Sequence, residues 1–331
     1  IKIDLKKITN IGVLTSGGDA PGMNAAIRAV VRTAIYKNIN VTGIFRGYQG
    51  MIDGEFIEMN RRSVSSIIQK GGTILKSARC LDFKTVEGRK KAYDNITAQG
   101  IDALVAIGGD GTFTGAKYFS EEYDIPVMCI PGTIDNDLNG TDFTLGYDTA
   151  NNTVIEAIDK IRDTASSHNR LFFIEVMGRD SGCIALNAGV GGGAESILLP
   201  EVNSGITTLL SEIELAEERN KTSMIVIIAE GDQNGGAYNV AKQVKEKFEH
   251  LDIKVSILGH LQRGGSPSSF DRVLATRMGF AAVNELLAGN SQATVGIRGT
   301  KITTTPLAIA LNNKEFKLDE ELLEIANIMN K

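Results

Sequence analysis

Between Leu104 and Asp137 two apolar runs, Ala103–Ile107 and Val127–Ile130, each pass straight into a loop of glycine and aspartate. Runs this short and this apolar read as strands buried on both faces, which is the signature of a parallel sheet. Their loops therefore sit at carboxyl ends of strands, the edge at which open α/β sheets bind ligands. The first loop, Gly108-Gly109-Asp110-Gly111-Thr112, opens a segment that reads as a helix to about Ser120. Glycines let amide N–H groups approach an anion closely, and a helix N-terminus adds partial positive charge, so the loop is half of a phosphate site. Asp110 inside it would repel a bare polyphosphate, which points to a divalent cation lying between them.

The second loop, Pro131-Gly132-Thr133-Ile134-Asp135-Asn136-Asp137, carries two carboxylates two residues apart. On an extended backbone both project to one side. One would take a proton while the other orients it or meets the metal. A Gly-Asp turn is common by itself, and the weight here comes from two such loops closing consecutive strands.

A third unit of the same kind lies upstream. Ile11–Leu14 reads as a buried strand, Gly17-Gly18-Asp19 as its loop, and Met23 to about Tyr36 as a helix with Ala26, Val30 and Ala34 on its buried face. Val41–Phe45 is the next strand, and Tyr48 in the loop after it either stacks on a base or covers a core edge. Ser63–Lys70 reads as a short helix closed by Gly71-Gly72. Helices are expected over Glu87–Gln99, Tyr147–Thr164, Ser204–Arg219 and Phe270–Leu287, and a mostly helical tail over Ala308–Asn330. Leu171–Val176, Ile197–Leu199, Met224–Ala229 and Val255–Leu258 read as further buried strands. Gly189–Gly193 has the look of a dinucleotide fingerprint but follows a helix-like segment, so it fails the context such a motif requires.

Composition narrows the class. The 331 residues are enough for two domains. With 35 basic and 40 acidic side chains the net charge is −5, which argues against a nucleic-acid partner. No apolar run approaches the roughly 18 residues of a membrane helix, and the Ile-Lys-Ile-Asp-Leu-Lys-Lys start lacks the form of a signal peptide, so a cytoplasmic enzyme is expected. Cys80, Cys129 and Cys183 are widely spaced with no metal-ligand pairing, as reduced thiols would be.

Five motifs in order identify a resemblance: Thr15-Ser16-Gly17-Gly18-Asp19-Ala20-Pro21-Gly22-Met23-Asn24, the two loops above, Met177-Gly178-Arg179, and Gly259-His260-Leu261-Gln262-Arg263-Gly264-Gly265. Together, from about Ile11 to about Gly289, they resemble the 6-phosphofructokinases of the bacterial ATP-dependent type. The resemblance implies two similar three-layer α/β/α domains with mostly parallel sheets and an active site in the cleft between them. It places a larger, nucleotide-binding domain at residues 1–146 plus 262–312, and a smaller, sugar-phosphate-binding domain at 147–261 plus 313–331.

It further implies transfer of the γ-phosphoryl group of MgATP to the 1-hydroxyl of fructose 6-phosphate. Gly18, Tyr48, Arg79, Cys80, Gly109, Asp110, Gly111 and Thr112 would bind the nucleotide, with Asp110 at the Mg²⁺ ion. Thr133, Asp135, Asp137, Arg170, Met177, Gly178, Arg179, Glu230, Lys254, His260 and Arg263 would bind the sugar phosphate. Asp135 would be the base, with Thr133, Asp137, Arg79 and Arg179 fixing geometry and charge. Arg170 and Arg179 flank one strand whose extended residues span about 20 Å, so both serve sugar phosphate only if one reaches a neighbouring subunit's site. The resemblance gives that role to Arg170 and Lys254, in a homotetramer. An effector site for ADP or phosphoenolpyruvate would use Arg28, Arg32, Arg61, Arg162, Glu195, Arg219 and Lys221.

Two departures stand out: Lys254 replaces the usual arginine, keeping charge but losing the bidentate fork, and Asp180 follows Met-Gly-Arg. His168 reads as structural, since no carboxylate or nucleophile motif adjoins it. Glycine at Gly111 and Gly132 leaves room beside the terminal phosphate, which favours ATP over pyrophosphate as donor. The alternatives are a pyrophosphate-dependent relative, a catalytically silent regulatory subunit, and an NAD or lipid kinase that shares only the first loop.

Overall fold

The structure is a computed structural model, and it describes residues 8–165, 170–202, 205–219, 221, 223–312 and 318–329. His168 lies outside the described residues. The chain divides into two compact units: Ile1–Ile134, Leu138–Thr149 and Arg263–Phe316 form the first, and Asp135–Asp137, Ala150–Gln262 and Lys317–Lys331 the second.

The first unit is built on a seven-stranded sheet in the order β11-β10-β5-β4-β1-β2-β3. Its strands are β1 (Asn10–Thr15), β2 (Asn40–Ile44), β3 (Phe56–Met59), β4 (Ala103–Gly108), β5 (Val127–Pro131), β10 (Ala293–Arg298) and β11 (Lys301–Pro306). β1, β2, β4, β5 and β10 run parallel, while β3 and β11 pair antiparallel at the two edges. Every residue of β4 is buried, as a central parallel strand covered on both faces requires.

On one face α2 (Tyr48–Asp53), α3 (Val86–Ala98) and α4 (Asp110–Tyr123) close over Leu14, Ile44, Leu104, Ala106 and Cys129, with Phe113 and Phe119 fully buried. Burying each such aromatic contributes about 1.5–3 kcal/mol. α1 (Met23–Tyr36) and α9 (Ser269–Leu287) pack together and against the sheet. Their approach is close because both are small at the contact: a Cβ on Gly279 would lie 2.6 Å from that of Ala29.

The second unit holds a parallel four-stranded sheet, order β7-β8-β6-β9, from β6 (Arg170–Val176), β7 (Ser196–Leu198), β8 (Met224–Ala229) and β9 (Asp252–Ile257). α7 (Gly205–Glu218) and α8 (Gly236–Lys247) bury one face around Phe173, Val226 and Ile228. α6 (Cys183–Gly191) packs against β7 and β8 and carries α11 (Glu320–Met329). Each unit is therefore sheet and helix in layers, and the α/β class expected from the sequence holds.

Local differences have identifiable causes. Ser63–Lys70 is a string of turns rather than a helix. The Asn60 side chain accepts from the amides of Arg62 and Ser63, and Ser66 is left-handed at φ 55, so the chain turns before a helix can propagate. Gly189–Gly191 ends α6 rather than forming a nucleotide loop. The tail holds a one-turn helix, α10 (Leu307–Ala310), and α11, with 313–317 outside the described residues.

α5 (Tyr147–Ala165) starts in the first unit, and its first turn is held there by Asp271. That carboxylate is fully buried and accepts from Gly146 N (2.8 Å), Thr149 N (2.9 Å) and Thr149 Oγ1 (2.5 Å), while Ser268 caps α9 and donates to Asp148. Burial pushes its pKa up, against the opposing pull of the Thr149 and Gly146 donors. Asp271→Ala leaves three buried donors unmatched and is expected to cost roughly 3 kcal/mol. Thermal unfolding checks this, and a melting temperature equal to the parent's would show the network to be inert.

Candidate active site

β1 leads by way of α1 to β2 on one side, whereas β4 lies on its other side, so the direction of winding reverses between β1 and β4. A crevice at strand carboxyl ends is expected at such a point. Two glycine loops flank it, Gly17-Gly18 after β1 and Gly108–Thr112 after β4. Thr112 Oγ1 donates to Ser16 O at 3.1 Å, and Ser16 N to Ile107 O at 3.0 Å, which locks the loops side by side. Glycine at Gly108 is obligatory, because a Cβ would lie 2.3 Å from Thr112 Oγ1 and 2.4 Å from Ser16 O. Gly132 N donates to Gly108 O at 2.9 Å, and a Cβ on Gly109 would sit 3.5 Å from that of Thr133, so the third loop joins the same edge.

Asp110 occupies the first turn of α4, half-buried, with exposed Gly111 beside it. A Cβ on Gly111 meets nothing within 4 Å. Gly132 differs from the expectation. Its Cβ direction points into the protein, 3.1 Å from Ile107 Cγ2 and 3.2 Å from Met23 Cε, so this glycine serves packing and of the two only Gly111 borders open space.

Tyr48 also departs from the loop residue expected. It begins α2, is 6% exposed, stacks on Phe83 at 4.0 Å and donates to Thr112 O at 2.5 Å. Its ring is core rather than a platform for a base, and its hydroxyl steadies the first turn of α4. Arg79 is exposed, and Cys80 is half-buried against the same core with its thiol pKa raised by burial. Asn24, which the sequence did not single out, is buried and donates to Lys70 O and Gly71 O while accepting from Ile74 N, holding the segment that leads to Arg79. Arg263 lies against the first glycine loop: a Cβ on Gly18 would be 2.6 Å from its Nη1, which reaches Asp19 O at 3.5 Å. The Arg263 guanidinium thus faces the Gly17-Gly18 loop of its own unit; His260 is exposed on the turn Gly259–Arg263.

In the second unit, Asp135 is 2% exposed and its Oδ2 is 3.5 Å from Nε of Arg179. Asn136 is left-handed at φ 51, so the backbone between the carboxylates is not extended, and Asp137, half-buried, does not repeat the environment of Asp135. The loop after β6 carries Arg179 at φ 54, a conformation that costs a non-glycine residue about 1 kcal/mol or more. Its neighbours enforce it. Glu230, at the end of β8, accepts at Oε1 from Gly178 N (3.1 Å) and Arg179 N (2.8 Å). One oxygen of this carboxylate therefore builds the loop. From the β9 side Gln262 Oε1 accepts from Met177 N at 2.9 Å.

Gly231 lets the loop settle, since a Cβ there would lie 2.1 Å from Arg179 O. Gly231→Ala is expected to displace Arg179 and reduce kcat/KM about tenfold or more, read in steady-state kinetics; unchanged kinetics would show that Arg179 does not depend on this packing.

Arg170 and Lys254 come together at the opposite end of β6. Asp252 binds Arg170 Nε at 2.9 Å and Lys254 Nζ at 2.7 Å, and the two cations hold its pKa low. Arg170 and Arg179 are thus on opposite ends of one strand, as their spacing required.

Of the residues expected at an effector site, Arg162 and Lys221 gather on Glu195 at 3.6 and 3.0 Å, and Arg162 also donates to Gly192 O and Gly193 O. Arg219 lies at the end of α7. Arg28 and Arg32 sit on α1, and Arg61 in the turns after β3. The three cysteines are free thiols, and burial pushes Cys183 up to about 11. No helix among the described residues is long and apolar enough to cross a membrane.

Comparison with known proteins bears on what this edge does. The family model described as Phosphofructokinase matches residues 10–286. The chain is 54% identical to ATP-dependent 6-phosphofructokinase 2 of Bacteroides thetaiotaomicron over 93% of this chain and 95% of that one. It is 53% identical to the ATP-dependent 6-phosphofructokinase of Caldanaerobacter subterraneus, over 96% and 98%. Among solved structures, the phosphofructokinase of Saccharomyces cerevisiae superposes with a TM-score of 0.87 at 35% identity, over 97% of this chain and 46% of that chain, so this chain spans about half its length. The pyrophosphate-dependent phosphofructokinase of Marinobacter aquaeolei superposes at 0.83 with 24% identity, over 97% and 91%, a likeness of fold.

Proposed function

Because the chain belongs to the phosphofructokinase family, we propose that the loops described above carry out one phosphoryl transfer, from MgATP to the 1-hydroxyl of fructose 6-phosphate, giving fructose 1,6-bisphosphate and ADP. Its activity is that of an ATP-dependent 6-phosphofructokinase, on the strength of relatives 53–54% identical over almost the whole chain. The single observation that carries the mechanism is Asp135, buried and beside the Arg179 guanidinium, two residues beyond Thr133 on a loop joined to the phosphate cradle.

Phosphoryl transfer asks mainly for positioning and charge neutralisation. Amides of Gly18 and Gly109–Thr112 receive the donor's phosphates, and open space at Gly111 admits a nucleoside triphosphate. The donor set fits magnesium, which takes one or two carboxylates plus phosphate oxygens; Asp110 is such a carboxylate, and no cluster of three metal-binding side chains occurs among the described residues. Asp110 would hold the ion, whose charge would offset that of the phosphates. Asp135 accepts the proton of the sugar 1-hydroxyl as that oxygen bonds to the γ-phosphorus. The bond from the γ-phosphorus to the bridging oxygen breaks, and ADP leaves with the electron pair. Thr133, Asp137, Arg79 and Arg179 position the reacting groups, while Met177, Gly178, Glu230, His260 and Arg263 hold the sugar phosphate, Glu230 through the loop it builds.

Arg170 and Lys254, gathered on Asp252, serve the site of a neighbouring subunit in a cytoplasmic homotetramer. ADP or phosphoenolpyruvate binds between subunits, at Arg28, Arg32, Arg61, Arg162, Glu195, Arg219 and Lys221. Coupled assay of fructose 1,6-bisphosphate formation with ATP tests the reaction, and sedimentation with and without ADP tests assembly; a monomer with full activity would remove the shared site.

A further inference from the structure

Gln262 grips the loop after β6 with only half of its side-chain amide. It is 0% exposed, its Oε1 accepts from Met177 N at 2.9 Å, and its Nε2 has no hydrogen-bond partner among the described residues. A buried amide nitrogen left unpaired is disfavoured, and a native fold retains one where something repays it. Its position shows what that is. β6 lies between β8 and β9 in the sheet, and the loop that follows β6 is gripped from both neighbours: Glu230 takes the amides of Gly178 and Arg179, and Gln262 takes that of Met177. Three consecutive amides are therefore fixed by two side chains. Glu230 Oε1 is doubly used in doing so, whereas Gln262 uses its oxygen and keeps two N–H groups in hand. Gln262 also lies in the turn that carries His260.

We propose that Gln262 is a positioning residue for the phosphoryl acceptor: its oxygen fixes the Met177–Arg179 loop, and its nitrogen is held for an oxygen that becomes available when the sugar phosphate binds, on the sugar itself or on a carbonyl of the loop it draws in. The inference rests on the function proposed above, and it adds a group that discriminates acceptor binding from donor binding. A carboxamide is the fitting choice, since it presents an acceptor to the amide and a donor to the ligand without placing a charge beside a phosphate.

Gln262→Glu keeps an acceptor for Met177 N and removes the N–H donors; Gln262→Met keeps the volume and removes both. The expected result is a KM for fructose 6-phosphate raised about tenfold or more in both variants, with the KM for ATP within about twofold of the parent, a factor of ten being one lost hydrogen bond of ordinary strength. The thermal shift produced by fructose 6-phosphate alone should shrink in parallel, while that produced by MgATP stays. A purely structural residue would move both Michaelis constants together, and that result, or a parental KM for the sugar phosphate in both variants, overturns the proposal. A crystal structure of the unaltered chain with fructose 6-phosphate decides the matter even if both variants fold poorly: Nε2 must lie within about 3.2 Å of an oxygen of the sugar or of the loop, and an Nε2 still unpaired contradicts the account. Failure of the functional reading is separately visible, because the unaltered chain would then form no bisphosphate and show no thermal shift with fructose 6-phosphate.

Discussion

Replacing Asp135 by asparagine is expected to lower kcat by about 10²–10⁴, the usual worth of a positioned base, while the KM values for ATP and fructose 6-phosphate move little. Asparagine keeps the volume of a side chain that is 2% exposed, so the fold should survive and the loss should report chemistry. Serine at the same position should give the same loss in kcat, with a small cavity besides. The carboxylate is on the loop after β5, with Arg179 Nε 3.5 Å from its Oδ2, and the proposed base role rests on that placement. Single-turnover measurements separate the chemical step from product release, and an unchanged chemical step would take the base role away from Asp135.

Gly111→Asp is expected to reduce kcat/KM for ATP by about a hundredfold or more, roughly 2.8 kcal/mol at a tenfold change per 1.4 kcal/mol. The side chain would project into open space, so folding should be unaffected. It would instead bring a second carboxylate to the first turn of α4 beside Asp110, where the amides would otherwise receive phosphate. Activity with pyrophosphate should fall less, because the smaller donor needs less of that space. An ATP dependence equal to the parent's would mean that Gly111 does not border the donor. At Gly132 no such clean experiment exists, since a Cβ there would lie 3.1 Å from Ile107 Cγ2 and 3.2 Å from Met23 Cε and those side chains would have to give way.

The central strands were legible because their environment is simple. Ala103–Ile107 and Val127–Ile130 are buried on both faces, so apolar runs and the glycine loops that end them locate the sheet and its functional edge. The edge strands were not, since Phe56–Met59 has a mixed burial pattern and is a strand by virtue of pairing with β2. The hairpin of β10 and β11 likewise depends on β5, far away in sequence. At the site, local conformation was not readable from residue order. The carboxylates at 135 and 137 would share one side only on an extended backbone, and the left-handed Asn136 breaks it. Tyr48 looked like a loop aromatic, and it is buried because Phe83, which has no motif of its own, stacks on it. Gln262 lies within the Gly259–Gly265 motif and was still invisible, because its meaning lies in Met177, brought near only by the β6–β9 pairing.

The measurement closest to the central claim is formation of fructose 1,6-bisphosphate from fructose 6-phosphate and Mg²⁺ by the purified chain, supplied in parallel with ATP and with pyrophosphate. The account predicts product with ATP and little with pyrophosphate. Product mainly with pyrophosphate would contradict the role given to Gly111, and no product with either donor would contradict the assignment of Asp135 and its loop to catalysis.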